Sequence, residues 1–358
     1  MAVTLAEVAA RAGVSPATVS RVLNGGYPVA GGTRTRVERA VEELGYIANA
    51  PARALAAATS DLVGILVHDI ADGYFGILTG ALQHALDPAG EGEARRLSVV
   101  CNTRGAPATE NACLALLEGQ RAGGVVLTGA AAEDPQQTRV LAARVARMAA
   151  SGARVVLCGR PPLPVSPTLP VATVVFDEKG GAFRLAEHLL ALGHRHIAYV
   201  AGPQDRSSTR ERLAGHREAL RRHDPALPDA CAALTVHAGS DRSAGYDATR
   251  ELLRRGKPFT AVATAGDAAA AGAVAALREA GLRIPEDVSV AGFDDLPFSQ
   301  DTSPALTTVR VPLREAGALA AQLVTGRRPL PPGGITTLPT ELMVRGSTAP
   351  PPAPGRTP

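Results

Sequence analysis

Short apolar runs recur between residues 62 and 346, separated by stretches of helical patterning, and this alternation constrains the chain more than any other feature. The runs lie at 62–67, 97–101, 124–127, 154–158, 173–176, 197–201, 261–265 and 289–292. Each is nearly continuous in Val, Leu, Ile and Ala, the signature of a strand buried on both faces. Helical segments follow most of them, for example 181–192, 243–254 and 267–280. Strand–helix alternation calls for parallel sheets joined by right-handed crossovers. This stretch is too long for one open sheet, so two such subdomains facing each other are expected. Ligands of open α/β sheets bind beyond the carboxyl ends of the strands, and two sheets set mouth to mouth form a cleft there.

The bulk properties fit this reading. Hydrophobic residues make up 46% of the 358 and charged residues 20%, as in a soluble globular protein of two or three domains. Aromatic content is only 3% and Trp is absent, so Ala, Val and Leu must build the cores. The net charge of +3 does not by itself announce a nucleic-acid binder. Cys101, Cys113, Cys158 and Cys231 form no C-x-x-C pair and sit in apolar contexts, which suggests buried thiols in a reducing compartment. The N-terminus has no charged leader followed by an apolar stretch, and no apolar run reaches membrane-spanning length. A cytoplasmic protein with no membrane contact is expected. No G-x-S-x-G, G-x-G-x-x-G, G-x-x-x-x-G-K or H-E-x-x-H occurs, and His194 and His196 lack the further ligands of a metal site. Neither an enzyme nor a cofactor or metal is expected.

Residues 1–46 have a different character. A short helix over residues 5–11 is followed by the turn Ala12-Gly13-Val14 and a second helix from Ser15 to about Asn24. Ser15 suits the N-cap and Pro16 the first helical position. Ala9, Gly13 and Val19 have the spacing of a helix-turn-helix: a small residue at the crossing, a glycine for positive φ, and an apolar filler. Val19, Val22 and Leu23 point inward. Ala17, Ser20, Arg21 and Asn24 share the other side, where small polar groups and one Arg can reach base edges in a major groove. A third helix over about 33–44 buries Val37, Ala40, Val41 and Leu44, with Arg34 and Arg36 placed for phosphates. A plain three-helix bundle with a solvated face has the same pattern. Residues 1–60 hold six arginines against four glutamates, which does not separate the two readings.

The chain resembles the lac repressor/gal repressor family of bacterial regulators. VTLAEVAARAGVSPATVSRVLN (3–24), TRTRVERAVEELGYIAN (33–49), HLLALGHRHIAYVAGP (188–203), RLAGHREAL (212–220), LRIPEDVSVAGFDD (282–295) and PALTTVRVP (304–312) carry the resemblance in the same order. It implies an N-terminal all-α helix-turn-helix domain (1–46), a hinge helix (47–61) and an α/β periplasmic-binding-protein-like domain (62–346) of two parallel-sheet subdomains. Their implied limits are about 62–174 with 310–338, and about 175–309 with 339–346. The Pro-rich tail, 347–358, is expected to be disordered.

The family's function would be sequence-specific transcriptional regulation, most often repression of a metabolic operon. A homodimer would bind a pseudo-palindromic operator in double-stranded DNA, under allosteric control by a small molecule such as a sugar. A nucleoside or other metabolite, or a transport-type solute-binding role, is the alternative. DNA contacts are implied at Thr4, Ser15, Pro16, Ala17, Thr18, Ser20, Arg21, Asn24 and Arg34, with Arg21 supplying much of the polar readout. In the connector, Asn49, Ala52 and Leu55 match the hinge helix, and Leu55 the residue that wedges into the central base step; a flexible Ala-rich linker is the plainer alternative.

In the larger domain, the loop after the first strand should bring Asp69, Tyr74 and Phe75 to a cleft rim, either stacking on ligand or anchoring the next helix. Arg206, Ser208, Arg212 and Asp294 match effector-contacting positions; an Arg and a carboxylate can fork a diol, or form an interdomain salt bridge. Ser240 and Asp267 are also expected effector contacts, and two departures there concern specificity. Gly266 precedes Asp267 where sugar-binding members often carry Asn, and Ser240 stands where an aromatic often stacks.

Overall fold

The computed structural model describes residues 3–24, 29–46, 60–87, 96–131 and 133–353. The chain divides into two compact units, Met1–Ser60 and Asp61–Pro358.

The first unit has three helices: α1 (Leu5–Ala12), α2 (Pro16–Asn24) and α3 (Gly31–Leu44). Thr4 starts α1 with a reciprocal cap: Glu7 N donates to Thr4 Oγ1 at 3.3 Å and Thr4 N donates to Glu7 Oε2 at 2.7 Å, satisfying donors that the helix leaves free. Gly13 closes α1 at φ 67°, a left-handed conformation that costs glycine little. Ser15 Oγ then accepts from Thr18 N at 3.2 Å at the start of α2. Val8, Ala9, Ala12, Val19, Val22, Val37 and Ala40 form the core. These side chains are small, and a fully buried Val contributes only about 1.5–3 kcal/mol. Helix α3 starts at Gly31, two residues before the expected position, without a side-chain cap.

The second unit is built on two parallel sheets. The larger has the order β11-β5-β4-β3-β1-β2: β1 (Ser60–Val67), β2 (Leu97–Asn102), β3 (Ala122–Thr128), β4 (Arg154–Cys158), β5 (Val171–Phe176) and β11 (Ile335–Leu338). Its flanking helices are α4 (Gly73–Leu86), α5 (Pro107–Gly119), α6 (Pro135–Ala150) and α13 (Leu313–Thr325). The smaller has the order β7-β6-β8-β9, from β6 (Ile197–Ala201), β7 (Thr235–His237), β8 (Ala261–Thr264) and β9 (Ser289–Ala291). It is covered by α7 (Glu178–Ala191), α8 (Ser207–His223), α9 (Leu227–Ala232), α10 (Arg242–Arg254), α11 (Asp267–Glu279) and α12 (Phe298–Asp301). The chain passes between the sheets after β5, before α13 and after β11. An antiparallel pair, β10 (Thr308–Arg310) with β12 (Glu341–Met343), ties the last two passages together.

All eight apolar runs form strands. The four strands without an apolar signal, β7, β10, β11 and β12, are short and mostly Thr-bearing, and all four lie at a sheet edge or in the two-stranded pair. Asp72, Asp134, Asp177 and Asp241 cap α4, α6, α7 and α10, each accepting from a backbone N–H of the first turn. These caps follow strands, so the helix N-termini and strand carboxyl ends collect on the same side of each sheet.

The tail differs from the expectation of disorder. Residues 347–349 are packed against the smaller-sheet lobe, and Ser347 is 1% exposed. Ser347 Oγ donates to Val290 O at 2.6 Å and accepts from Thr307 N at 2.8 Å. Val290 N donates to Ser347 O at 2.9 Å, and Ala349 N donates to Ser289 Oγ at 3.0 Å. The reason is the open edge of β9: unpaired strand-edge groups need partners, and an extended Pro-rich segment supplies them without a core of its own. Residues 354–358 lie outside the described residues. Cys158 and Cys231 are buried as expected, but Cys101 and Cys113 are only half-buried.

Candidate functional site

Ser15, just before α2, and Pro16, Ala17 and Arg21 on it are exposed, while Thr18 and Ser20 are half-buried. Arg34 and Arg36 are exposed on α3. Two other arginines are committed: Arg11 and Arg39 both pair with Glu43. Arg21, Arg34 and Arg36 have no carboxylate partner among the described residues. Among the described residues of this unit the arginines are therefore sorted, with Arg11 and Arg39 internally paired and Arg21, Arg34 and Arg36 outside any ion pair. Thr4 spends its hydroxyl on the α1 cap. The connector residues Asn49, Ala52 and Leu55 lie outside the described residues, as does the side chain of Asn24.

In the second unit, the carboxyl ends of both sheets open onto one cleft of about 1370 Å³. Asp69, Tyr74, Phe75, Arg206, Ser208, Arg212, Ser240 and Asp294 all border it. Arg212 is central. It rises from the first turns of α8, and Nε donates to Glu178 Oε2 at 2.6 Å, Nη2 to Asp294 Oδ1 at 3.1 Å and Nη1 to Ala265 O. Its guanidinium carbon lies 3.8 Å from the Phe293 ring centroid. The Glu178 and Asp294 side chains are each 12% exposed. These charge-assisted bonds keep the guanidinium protonated and fixed in plane. Asp294 sits at φ 108° and Asp295 at φ 55°, conformations that cost a non-glycine residue about 1–3 kcal/mol and persist only where the surroundings enforce them. Here Asp294 N donates to Val309 O at 2.8 Å, and Asp295 is gripped by Arg310 Nε at 2.7 Å and Arg345 Nη2 at 2.5 Å. Burial pushes the Asp294 carboxyl well above its ordinary range, against the pull of Arg212. Its second oxygen forms no hydrogen bond among the described residues.

Tyr74 lies opposite. Burial, with Glu178 and Asp294 nearby, holds its phenol well above the ordinary value, so it stays a hydrogen-bond donor. Phe75 is 9% exposed and stacks on His68 at 6.0 Å between ring centroids, which makes it chiefly a core anchor. Asp69 is engaged locally, accepting from Ala71 N at 3.1 Å. Gly129 and Gly159, at the ends of β3 and β4, make room for these rings: a Cβ would come within 2.7 Å of Phe75 and 3.3 Å of the Tyr74 hydroxyl. Across the cleft, Arg206 Nη2 donates to Gly105 O at 3.2 Å and Arg210 pairs with Glu133.

Asp267 does not fit the expectation of an effector contact. It is 0% exposed, and its carboxylate accepts from Thr308 Oγ1 at 2.5 Å, Ser299 Oγ at 2.7 Å and Leu296 N at 2.7 Å. A fully buried carboxylate saturated by three internal donors cannot turn to a ligand; it fixes the loop that carries Asp294. The Arg212–Asp294 pair is likewise not an interdomain bridge, since both residues are borne by the smaller-sheet lobe. Glu178 was not anticipated. Its only sequence signal is its position just past the carboxyl end of β5.

A helix-turn-helix and a two-sheet domain with a polar-floored cleft, in one chain, define a ligand-responsive DNA-binding regulator. Residues 4–49 match the family of bacterial regulatory proteins, lacI family, and residues 186–348 the periplasmic binding protein-like domain. The HTH-type transcriptional regulator GalR of Escherichia coli (strain K12) is 33% identical over 331 residues, 92% of this chain and 91% of that protein. CelR of Thermobifida fusca is 34% identical over 353 residues, 96% and 98% of the two chains. Among solved structures, the lac repressor dimer bound to operator and the anti-inducer ONPF superposes with a TM-score of 0.75 at 30% identity, covering 98% of this chain and 100% of that one. A CelR–cellobiose complex does so at 0.66 and 32%, covering 96% and 99%. The chain belongs to the lacI family and is a transcriptional regulator. No helix among the described residues is long and apolar enough to cross a membrane.

Proposed function

We propose that the chain represses a metabolic operon by binding a pseudo-palindromic operator as a homodimer, and that a hydroxylated small molecule of the sugar class alters that affinity from the cleft. It acts in the cytoplasm, catalyses no reaction, and needs no cofactor or metal. Residues 1–46 read DNA through the α2 face and Arg34, 47–61 form the hinge with Asn49, Ala52 and Leu55, and 62–346 bind the effector. The observation that carries the sugar reading is the floor of the cleft. A guanidinium held in plane, a carboxylate with one uncommitted oxygen and a protonated phenol together offer donors and an acceptor to adjacent hydroxyls. The two named relatives with small molecules bound, the lac repressor with ONPF and CelR with cellobiose, support that class. The dimer is supported by edge strand β2, where Leu97 is 67% and Val99 43% exposed; an apolar edge of this kind invites a second copy.

The test begins with selection of bound genomic fragments at one fixed salt concentration. Operator affinity is then followed by fluorescence anisotropy against a panel of mono- and disaccharides and nucleosides. A saccharide should shift the affinity at least about fivefold, and Arg212→Met should lose that response while still binding operator. A nucleoside as the sole active compound, or an undiminished response in Arg212→Met, would overturn the reading.

A further inference from the structure

His68 and Arg206 meet across the cleft, one from each lobe. His68 follows β1 in the larger-sheet lobe, and its ring is held against Phe75. Arg206 stands just before α8 in the smaller-sheet lobe and reaches over to Gly105 O at 3.2 Å. Gly105 keeps the two groups together. A Cβ there would lie 2.6 Å from His68 Nδ1 and 2.7 Å from Arg206 Nη2, so no side chain stands between them. Two backbone bonds join the lobes next to Arg206: Glu133 N donates to Asp205 O at 2.8 Å and Ser207 N to Ala131 O at 3.2 Å. Neither imidazole nitrogen of His68 has a hydrogen-bond partner among the described residues, so its protonation is set by burial and by charge.

The charges that act on the ring are divided between the lobes. Partial burial, then Arg206 from the other lobe, oppose a proton on it; Asp69 and Asp72, in its own lobe, favour one. The balance holds the imidazole below its ordinary 6.5. Arg206 is only weakly offset, by Asp205 at 3.7 Å from Nε. Opening the cleft carries Arg206 and Asp205 away and wets the ring, while Asp69 and Asp72 stay beside it. The main changes on opening therefore strengthen the ring's hold on a proton.

We propose that His68 is a proton-operated catch on lobe closure: neutral, it lets Arg206 settle on Gly105 and the cleft close; protonated, it repels Arg206 and holds the lobes apart. A proton bound more tightly by the open form drives opening. The closed form keeps its full advantage above the ordinary 6.5 and loses it as pH falls through the lowered midpoint. The proton is thus a second effector of the cleft, whatever small molecule binds there, and a ligand that favours the closed form loses affinity in acid.

Two measurements on the full-length protein test the catch. With ring-labelled histidines, NMR follows each imidazole against pH, and the His68 signal is the one missing from His68→Gln. Arg206→Met should raise the His68 midpoint by about half a pH unit or more; an unchanged midpoint would sink the pairing. Hydrogen exchange of the Glu133 and Ser207 amides, whose bonds cross the cleft, is then compared between wild type and His68→Gln, so that the intrinsic pH dependence of exchange cancels. At about pH 7.5 the two proteins should exchange alike. At about pH 5.5 wild type should exchange about threefold faster, the change produced by a midpoint difference of about half a pH unit between open and closed forms. Amides within β4 and β6 should exchange equally in both proteins. A ratio at Glu133 and Ser207 that does not change with pH, or one matched by the amides of β4 and β6, would overturn the proposal, since His68 would then titrate without governing closure.

Discussion

Asp267 and Asp294 stand within one network and have opposite roles. Burial raises Asp267 to about 6 from its ordinary 3.8, opposed by the donors Thr308, Ser299 and Leu296. The folded protein therefore keeps this proton at pH values where the unfolded chain has released it, and the folded state loses ground as pH rises through that window. Asp267→Asn removes the titration. In urea denaturation at about pH 4 and about pH 7, the stability advantage of wild type over the variant should be larger at the lower pH; an advantage constant across the range would contradict it. The sequence places both aspartates after apolar strands and cannot tell them apart. Which one faces the cleft depends on three donors contributed by residues 296, 299 and 308, and no local pattern brings those together. The same holds for Glu178, whose role exists only because α8 carries Arg212 back beneath it. Arg212 itself was legible because its motif, RLAGHREAL, is long.

At the scale of elements, what was legible follows periodicity. Runs buried on both faces announced themselves, whereas β10 and β12 owe their pairing to each other and to the chain passages they tie. Close packing of helices adds a constraint that sequence alone shows only as scattered glycines. At Gly272 on α11 a Cβ would lie 2.0 Å from Arg242 O and 2.6 Å from Tyr246 N on α10. Backbone cannot yield as a side chain can, so Gly272→Ala should cost about 1–3 kcal/mol, measured by thermal or chemical unfolding; a neutral result would mean that the two helices slide apart freely. The connector gives a second prediction at this scale. If Leu55 wedges into DNA, Leu55→Ala should weaken operator binding at least about tenfold more than binding to random DNA of equal length. An equal loss on both would mark residues 47–59 as a plain linker.

For the whole molecule, the exposed apolar β2 edge, with Leu97 and Val99 on it, points to a dimer. Leu97→Asp should convert the protein to a monomer in light scattering and abolish tight operator binding while preserving its circular dichroism. A variant that remains dimeric would move the interface elsewhere, and a tetrameric wild type would refute the assignment. The cross-cleft contacts, Arg206 to Gly105 and Arg210 to Glu133, all border the cleft, so a bound effector that alters them would change the closure of the two lobes.

The larger sheet is closed on one side by β11, and α13 covers α4, yet both come from the last fifth of the chain. During synthesis, the first lobe must wait for more than a hundred residues of intervening chain before its outer strand and a covering helix emerge. Until then the inner face of α4 and the open side of β5 are exposed apolar surface. Production of this regulator should therefore depend on translation speed and on holding chaperones more than its final stability suggests.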